Sequence, residues 1–290
     1  MKVTENAYAK INIFLDVTAK RADGFHDIKT VMQSVDLFDT LEMDCSRSEH
    51  TELSLRIEGG DPIPVDETNL ICKAVLAYLS ASGLYASVRM KLTKRIPVGA
   101  GLGGGSSDAA AALRGMNRVF KCFEREGLLK LAEKLGSDVA FCLEGGTALC
   151  EGKGELMTPL KRLMPKHLVI AIGSARVSTP EAYRALDALY TSFDGSIPTG
   201  GEERFDEVMS TLEEGRLPVS LFNVFEKIAE SEHPEITEIK NELQKLGAVS
   251  ALMSGSGASV FGVFDSEERA KAAAAKLASD GLFAKYCMTL

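Results

Sequence analysis

The chain has 290 residues, of which 45% are hydrophobic and 26% are charged, and its formal net charge is −8. This composition is typical of a soluble globular protein with room for two domains, and the acidic balance argues against a general binder of nucleic acid or of an anionic membrane surface. No apolar run reaches the roughly 18 residues that a membrane span needs, and the opening MKVTENAYAK lacks the apolar core of a signal peptide. We therefore expect a cytoplasmic protein.

The cysteines and histidines give no metal signal. The six cysteines form no CxxC pair, and the four histidines are scattered along the chain. Neither a zinc site nor a disulfide framework is predicted from this spacing, and we expect reduced, mostly buried thiols.

The first predicted element is a strand in AKINIFLDV. Its odd positions from 11 to 17 are apolar, while its even positions carry Lys10, Asn12, Phe14 and Asp16. Such alternation predicts a strand whose odd positions share one face. Lys10 and Asn12 are then neighbours on the opposite face.

The elements that follow mix strands and helices. A turn is predicted in RADGFHDI, strands near residues 31–43 and 53–57, and a helix over NLICKAVLAYLSAS. A further strand at 88–92 leads into a glycine-rich loop. After the loop and its helix we predict another helix over 128–135, a turn at GSDVAF and a short strand at GTALCEG.

The glycine-rich loop, PVGAGLGGGSS from Pro97 to Ser107, is the most informative motif. Glycine is costly to order, so this many glycines indicate that a ligand or another backbone approaches closely. A strand precedes the loop, and Asp108 followed by AAAAL predicts an N-cap and a helix. This order directs unpaired N–H groups and the positive end of a helix dipole at one point, which suits a phosphate.

Two other nucleotide motifs fit the loop less well. GAGLGGG contains GxGxxG, and Glu124 and Glu126 follow at roughly the 20-residue distance of a dinucleotide fold, but the chain after them predicts a helix and not a second parallel strand. The motif GxxxxGK[ST] fails because its lysine is absent. A glycine-rich hairpin or close-packing site is the structural alternative, and the two serines, which could hold Mg²⁺ or phosphate, favour the phosphate loop.

The second half has a different pattern. It predicts the strand HLVIAI, the helix TPEAYRALDALY, a mobile loop at DGSIPTGGEE, helices over 222–229 and 234–246, the strands VSALM and SVFGVF around SGSGA, the helix SEERAKAAAAKLASD and the strand FAKYCM. The order strand, helix, strand, strand, helix, strand is a ferredoxin-like layout. We place the two domains at residues 1–158 and 159–290.

Several of these segments resemble the GHMP kinases, the family of galactokinase, homoserine kinase, mevalonate kinase and phosphomevalonate kinase. The resemblance is carried by PVGAGLGGGSSDAAAAL, LGSDVAFCLEGGTALCEGKGE, VSTPEAY and SGSGASVF. The segment AKINIFLDVTAKRADGFHDIKTVMQSVDLFDTL resembles one branch, which phosphorylates a cytidine diphosphate-linked methylerythritol in non-mevalonate isoprenoid synthesis. The resemblance implies an α+β fold with an N-terminal ATP-binding α/β domain, like domain 2 of ribosomal protein S5, and a ferredoxin-like C-terminal domain that contributes to substrate binding.

The resemblance also implies site residues. Asp138 matches the catalytic aspartate that accepts the proton of the substrate hydroxyl, and Lys10 matches its lysine partner. The implied ATP-binding residues are Pro97, Val98, Gly99, Ala100, Gly101, Leu102, Gly103, Gly104, Gly105, Ser106 and Ser107, and Ser107 is our candidate ligand of Mg²⁺. The implied substrate-binding residues are Asn12, Phe25, His26, Thr179 and Tyr183, with Phe25 and Tyr183 as two aromatic faces around the cytosine.

Each implied residue has an ordinary structural interpretation as well. A lysine on a strand is usually solvated, an aspartate in a Gly-Ser-Asp turn is usually a cap, and Phe25 and Tyr183 could be core residues. Thr179 could cap its helix, and SGSGAS could be a β-turn. The chain also departs from the family's usual sequence at three places. Phe25 stands where tyrosine is common, Ala140 where proline is frequent, and IGSARVST replaces a PPFGVST-like segment.

These observations predict an ATP-dependent kinase of the cytidine diphosphate-linked alcohol. Another GHMP kinase, of the mevalonate or homoserine type, and a non-catalytic nucleotide-sensing module are the alternatives. The expected partners are ATP, Mg²⁺ and the small-molecule substrate, with no nucleic acid and no membrane. Monomer and homodimer both stay open.

Overall fold

The structure is a computed structural model that describes residues 1–189 and 200–290. Its contacts divide the chain into two units, each assembled from separate segments. Unit 1 comprises Met1–Ala9, Leu37–Val98 and Gly103–Gly145, and unit 2 comprises Lys10–Asp36, Gly99–Leu102 and Gly146–Leu290. This partition differs from the single boundary after residue 158, which stays a prediction.

The helices and strands of the described residues follow one another in mixed order. They are β1 (Lys2–Lys20), β2 (His26–Arg47), β3 (Glu52–Glu58), α1 (Leu70–Ser82), β4 (Ala86–Thr93), α2 (Gly104–Phe120), α3 (Arg125–Leu135), α4 (Ser137–Glu144), β5 (Thr147–Glu151), β6 (Leu156–Pro159), β7 (His167–Ile172), α5 (Thr179–Leu189), α6 (Gly201–Glu213), β8 (Phe222–Asn223), α7 (Glu226–Glu232), α8 (Pro234–Lys245), β9 (Ser250–Met253), β10 (Val260–Phe264), α9 (Glu267–Ser279) and β11 (Phe283–Met288). Among these elements no helix has the length and apolar character needed to cross a lipid bilayer.

Unit 1 is a mixed sheet with helices packed on it. β3 runs parallel to β4, with Leu53 opposite Val88, and α1 forms the crossover between them. β4 runs antiparallel to the C-terminal part of β2. The side chain of Asn69 caps α1 by accepting the N–H of Ile71, and Gly83 ends the helix in the left-handed region. The apolar faces of α1, α2 and α3 share one core with the inward side chains of β4.

Unit 2 contains a four-stranded antiparallel sheet in the order β11-β7-β10-β9. Together with the strand and helix order, this confirms the ferredoxin-like layout. All residues of β7 from Leu168 to Ile172 are buried, and the apolar faces of α8 and α9 belong to the same core.

Three local predictions are wrong. GSDVAF is not a turn, since Ser137 to Glu144 form α4, whose Val139 and Phe141 are buried. Residues 222–229 are not one helix, because Phe222 and Asn223 pair with β1 before α7 begins. Residues 201–203 of the predicted mobile loop DGSIPTGGEE form the first turn of α6, and its residues 194–199 lie outside the described residues.

The segment AKINIFLDV lies within β1, and Lys10 and Asn12 are neighbours as the alternation predicts. Every residue from Ala9 to Val17 is buried, including Lys10, Asn12 and Asp16. Both faces of this part of β1 are therefore covered, and its polar side chains must satisfy their hydrogen bonds within the protein.

The cysteines behave as the sequence predicts. All six, each within the described part of the chain, are free, and Cys45, Cys72, Cys150 and Cys287 are buried. Burial raises the pKa of the Cys45 thiol to about 11, which keeps it protonated and unreactive at neutral pH.

Candidate active site

The glycine-rich loop has the strand, turn and helix-start geometry that its sequence predicts. β4 ends at Thr93, and α2 begins at Gly104 with Gly103 as its N-cap. Gly99, Gly101 and Gly103 all have φ between 66° and 77°, a region that side chains disfavour. The first N–H groups of α2 have no acceptor within the helix, which makes this end of the helix suited to an anion.

Asp108 is not the N-cap of α2, and this prediction is wrong. The helix starts four residues earlier, and Asp108 lies in its second turn with 1% of its surface exposed. Its carboxylate accepts a hydrogen bond from the ammonium of Lys94 over 2.7 Å. The neighbouring Ser107, also buried, donates its hydroxyl proton to the carbonyl of Gly104 over 2.9 Å.

Within unit 2, the segment SGSGAS from Ser254 to Ser259 packs against loop residues 100–101. The hydroxyl of Ser254 donates to the carbonyl of Gly101 over 3.0 Å, and the hydroxyl of Ser259 donates to the carbonyl of Ala100 over 2.6 Å. A Cβ on Gly101 would lie 2.1 Å from the carbonyl oxygen of Ser254. Glycine is therefore required at position 101, and SGSGAS supports the loop as well as turning the chain.

Lys10 is buried in β1 and oriented by its neighbours in unit 2. Its ammonium donates to the amide oxygen of Asn12 over 2.7 Å, and the amide nitrogen of Asn12 donates to the hydroxyl of Thr30 over 2.8 Å. Thr30 in turn donates to the carbonyl of Phe14. Asn12, implied as a substrate residue, thus also fixes the direction of the Lys10 ammonium.

Asp138 lies in the first turn of α4, in unit 1, and is half-buried. The positive end of the helix dipole lies at this position. Lys10, by contrast, belongs to unit 2.

Two of the implied cytosine residues, His26 and Tyr183, contact each other in unit 2. The ring of His26 stacks on that of Tyr183 with centroids 4.7 Å apart, and its Nε2 lies 2.7 Å from a carboxylate oxygen of Asp187. Phe25 is 60% exposed, with the ammonium of Lys153 lying 4.9 Å from its ring centroid. Tyr183 therefore faces His26, while the Phe25 ring is open to solvent.

Asp187 was not identified from the sequence. It lies on α5 one turn after Tyr183, and it accepts from Lys20 over 2.6 Å as well as pairing with His26. Partial burial would raise the pKa of Asp187, but the hydrogen bonds from Lys20 and His26 outweigh it and hold that pKa below its ordinary value. An ionised carboxylate here requires the proton on Nε2 of His26.

Thr179 is exposed at the start of α5, and its hydroxyl lies 2.7 Å from the hydroxyl of Ser256. This contact joins α5 to the SGSGAS segment. Neither the helix nor the segment predicts such a pairing from sequence alone, because the two residues are separated by 76 others in the chain.

Comparisons with known proteins agree with the fold and the motifs. Family models match GHMP kinases N terminal domain over residues 69–146 and GHMP kinases C terminal over residues 202–281. The chain is 41% identical to 4-diphosphocytidyl-2-C-methyl-D-erythritol kinase of Pelotomaculum thermopropionicum, over 95% of this chain and 94% of the relative. It is 38% identical to the protein of that name in Alkaliphilus metalliredigens, over 91% of this chain and 89% of the relative.

A solved structure gives the same result. The crystal structure of a 4-(cytidine 5'-diphospho)-2C-methyl-D-erythritol kinase matches with a TM-score of 0.81 and 33% identity, over 99% of both chains. The two family models and the near-complete coverage of these relatives together show the family of the chain. The chain belongs to the GHMP kinases, in the family of 4-diphosphocytidyl-2-C-methyl-D-erythritol kinases.

Proposed function

We propose that this chain transfers the γ-phosphate of ATP to the 2-hydroxyl of 4-diphosphocytidyl-2-C-methyl-D-erythritol and releases ADP. The observation that carries the proposal is the glycine-rich loop, in which three glycines adopt left-handed backbone angles just before α2 begins. The relatives that match nearly the whole chain are named for this kinase activity. Backbone N–H groups at a helix start stabilise the negative charge that spreads over a transferring phosphoryl group.

The proposed chemistry assigns one role to each catalytic side chain. The substrate's 2-hydroxyl oxygen forms a bond to the γ-phosphorus, the bond from that phosphorus to the bridging oxygen of ADP breaks, and Asp138 accepts the hydroxyl proton. Because a carboxylate is a weak base, the proton leaves late, when the new O–P bond has largely formed. Lys10, aimed by Asn12, stabilises the developing negative charge.

Mg²⁺ belongs to the proposal as a cofactor that neutralises charge on the phosphates. No group of three His, Cys, Asp or Glu side chains suited to a metal occurs among residues 1–189 and 200–290. Mg²⁺ commonly binds through substrate phosphates, waters and one or two protein oxygens, and such a donor set fits Ser107. The hydroxyl proton of Ser107 is directed at Gly104, so its oxygen retains lone pairs for a cation.

We assign the cytidine end of the substrate to the group around His26. With its proton on Nε2, held by Asp187, a neutral His26 has Nδ1 as an acceptor suited to the exocyclic amine of cytosine. Phe25 offers an exposed ring and Tyr183 a second aromatic face. Asn12 and Thr179 are proposed for the methylerythritol and phosphate portions.

A comparison of alcohols tests the proposed function. ADP release is measured with 4-diphosphocytidyl-2-C-methyl-D-erythritol, mevalonate and homoserine in parallel, each with ATP and Mg²⁺. We expect turnover of the cytidine compound and less than about one hundredth of that kcat/KM for the other two, because they lack the base that His26 recognises. Turnover of mevalonate or homoserine alone would refute the substrate, and turnover of none with tight ATP binding would favour a sensing module.

A further inference from the structure

Three charged side chains of unit 1 are buried together, next to residues that flank the glycine-rich loop. Lys94 follows β4, Asp39 lies on β2 and Asp108 lies in the second turn of α2. Their side chains are 2%, 0% and 2% exposed, and Lys94 Nζ lies 2.5 Å from Asp39 Oδ2 and 2.7 Å from Asp108 Oδ2. The proposed mechanism uses none of the three.

Asp39 holds the segment that enters the loop. Besides the ammonium of Lys94, its carboxylate accepts the backbone N–H groups of Arg95 and Ile96, the latter over 2.9 Å. One side chain therefore fixes three successive residues immediately before Pro97.

Lys94 connects this entering segment to the helix that follows the loop. Its ammonium donates to Asp108, and a Cβ on Gly104 would lie 3.0 Å from Lys94 Nζ and 3.0 Å from Ile96 Cγ2. The start of α2 thus lies directly against the residues that lead into the loop. Ile96 and Gly104, the residues on either side of this part of the loop, are therefore held at a fixed distance from each other.

This arrangement is not the one that stability alone would favour. Two carboxylates and one ammonium leave a net negative charge in the interior when all are ionised, and Asp108 Oδ1 has no hydrogen-bond partner among the described residues. Burying these charged groups removes them from water, which costs free energy. Apolar side chains of similar volume would avoid this desolvation.

What charged hydrogen bonds supply, and apolar packing does not, is a fixed direction and register. The loop needs such positioning from its flanks because residues 99–105 are mostly glycine and offer few side chains to pack. We propose that Asp39, Lys94 and Asp108 form a clamp that positions the glycine-rich loop for nucleotide, so that ATP affinity depends on the Lys94 to Asp108 bridge. This inference rests on the proposed function, and the three are positioning residues that act through the loop.

Two substitutions at one position test the clamp. Asp108→Leu removes the bridge and leaves a neutral Lys94 and Asp39 pair, whereas Asp108→Asn keeps an oxygen that can accept from Lys94. Dissociation constants for the β,γ-imido analogue of ATP with Mg²⁺ are measured by calorimetry, well below each variant's melting temperature. We expect Asp108→Leu to bind at least about five-fold more weakly than Asp108→Asn, with a melting temperature equal to or above that of the unaltered chain.

Glu5→Leu is the matched control. It also removes a buried carboxylate from unit 1, one that pairs with Arg114 and Arg118 away from the loop. Its dissociation constant should stay within about two-fold of the unaltered chain. Equal binding by Asp108→Leu and Asp108→Asn, or an equal loss in Glu5→Leu, would overturn the clamp.

The clamp and the proposed function fail in distinguishable ways. An unaltered chain that binds the nucleotide analogue but phosphorylates none of the three alcohols would refute the proposed function while the Asp108 comparison still decides the clamp. An unaltered chain that binds no nucleotide would refute both.

Discussion

At the scale of single residues, the candidate site depends on polar side chains that are buried and aimed by their neighbours. Hydrogen bonds from Lys10 to Asn12 and from Asn12 to Thr30 orient the Lys10 ammonium. The contact with Asp187 places the proton of His26 on Nε2. Preorganised groups of this kind need no rearrangement as charge develops during the reaction.

Asp138→Asn is expected to lower kcat by about 10² to 10⁴-fold, because the amide cannot accept the hydroxyl proton. Binding of the β,γ-imido ATP analogue should persist, since the substitution removes no nucleotide contact in the proposal. Glu126→Gln, which changes an acid in the first turn of the neighbouring helix α3, is the control and should leave kcat unaltered. Near-normal turnover by Asp138→Asn would show that the assigned base is wrong.

Lys10→Met tests whether Lys10 and Asp138 serve one chemical step. Groups that act as a unit give strongly non-additive losses. We expect the double variant, Lys10→Met with Asp138→Asn, to be no more than about ten-fold slower than the worse single variant in single-turnover measurements. Losses in kcat that multiply would indicate that the two residues act independently.

Asp187→Ala is expected to raise KM for the cytidine substrate by about ten-fold, because no acceptor then fixes the proton of His26 on Nε2. Steady-state rates with each substrate varied in turn should show kcat and KM for ATP within about two-fold of the unaltered chain. Asp265→Ala, which removes an exposed carboxylate paired with Lys166, provides the comparison. An unaltered KM for the cytidine compound would contradict the role given to Asp187.

At the scale of elements, the sequence predicted those features whose causes are local. The glycine-rich loop between a strand and a helix, the helix α1 and the ferredoxin-like order of the second half all follow from turn chemistry and hydrophobic periodicity. These features need no knowledge of distant residues.

Features set by distant partners were not predictable in this way. The sequence around Asp108 is typical of an N-cap, yet Asp108 lies inside α2, where its carboxylate accepts a hydrogen bond from Lys94. Burial of Val139 and Phe141 makes a helix of GSDVAF, and Asp187 became a site residue only through its contact with His26. Tertiary contacts override local propensity at each of these positions.

Gly101→Ala tests the packing of the loop against the SGSGAS segment. The new Cβ would meet the carbonyl oxygen of Ser254 at 2.1 Å and would sit at φ +77°, so the loop must shift. We expect affinity for the nucleotide analogue to fall by at least about 30-fold, since strain of this kind costs on the order of 2 kcal/mol or more.

The control for that substitution is Gly281→Ala. Gly281 also has positive φ, but a Cβ there meets no atom within 4 Å. The alanine at position 281 has the same unfavourable left-handed backbone but makes no contact with the loop. The nucleotide affinity of this variant should therefore be unaltered. Equal affinity in the two variants would mean that Gly101 needs no close approach to Ser254.

At the scale of the whole molecule, the buried charges of unit 1 connect stability to pH. The pKa of Asp108 is raised by burial to about 7 in the folded chain, while an unfolded aspartate titrates near about 3.9. Between these values the folded state holds a proton that the unfolded state has lost. The Asp108 contribution is therefore fully present below pH of about 4 and is lost as the pH rises through about 7.

Urea unfolding of the unaltered chain and Asp108→Asn at pH 5, 6, 7 and 8 measures this contribution. The free energy of unfolding of the unaltered chain, minus that of the variant, should fall by up to about 1.4 kcal/mol per pH unit below pH 7 and level off above it. A difference that is constant with pH, or that rises, would show that Asp108 does not titrate in this window.

The central claim, that this chain moves the terminal phosphate of ATP to one hydroxyl of a cytidine diphosphate-linked methylerythritol, is tested most directly by following the phosphorus. ATP labelled in its γ-phosphate is incubated with Mg²⁺, the purified chain and 4-diphosphocytidyl-2-C-methyl-D-erythritol, and the products are resolved by ³¹P NMR. We predict one labelled phosphate monoester at the 2-position for each ADP formed. Label released as inorganic phosphate, or no label transferred, would contradict the account.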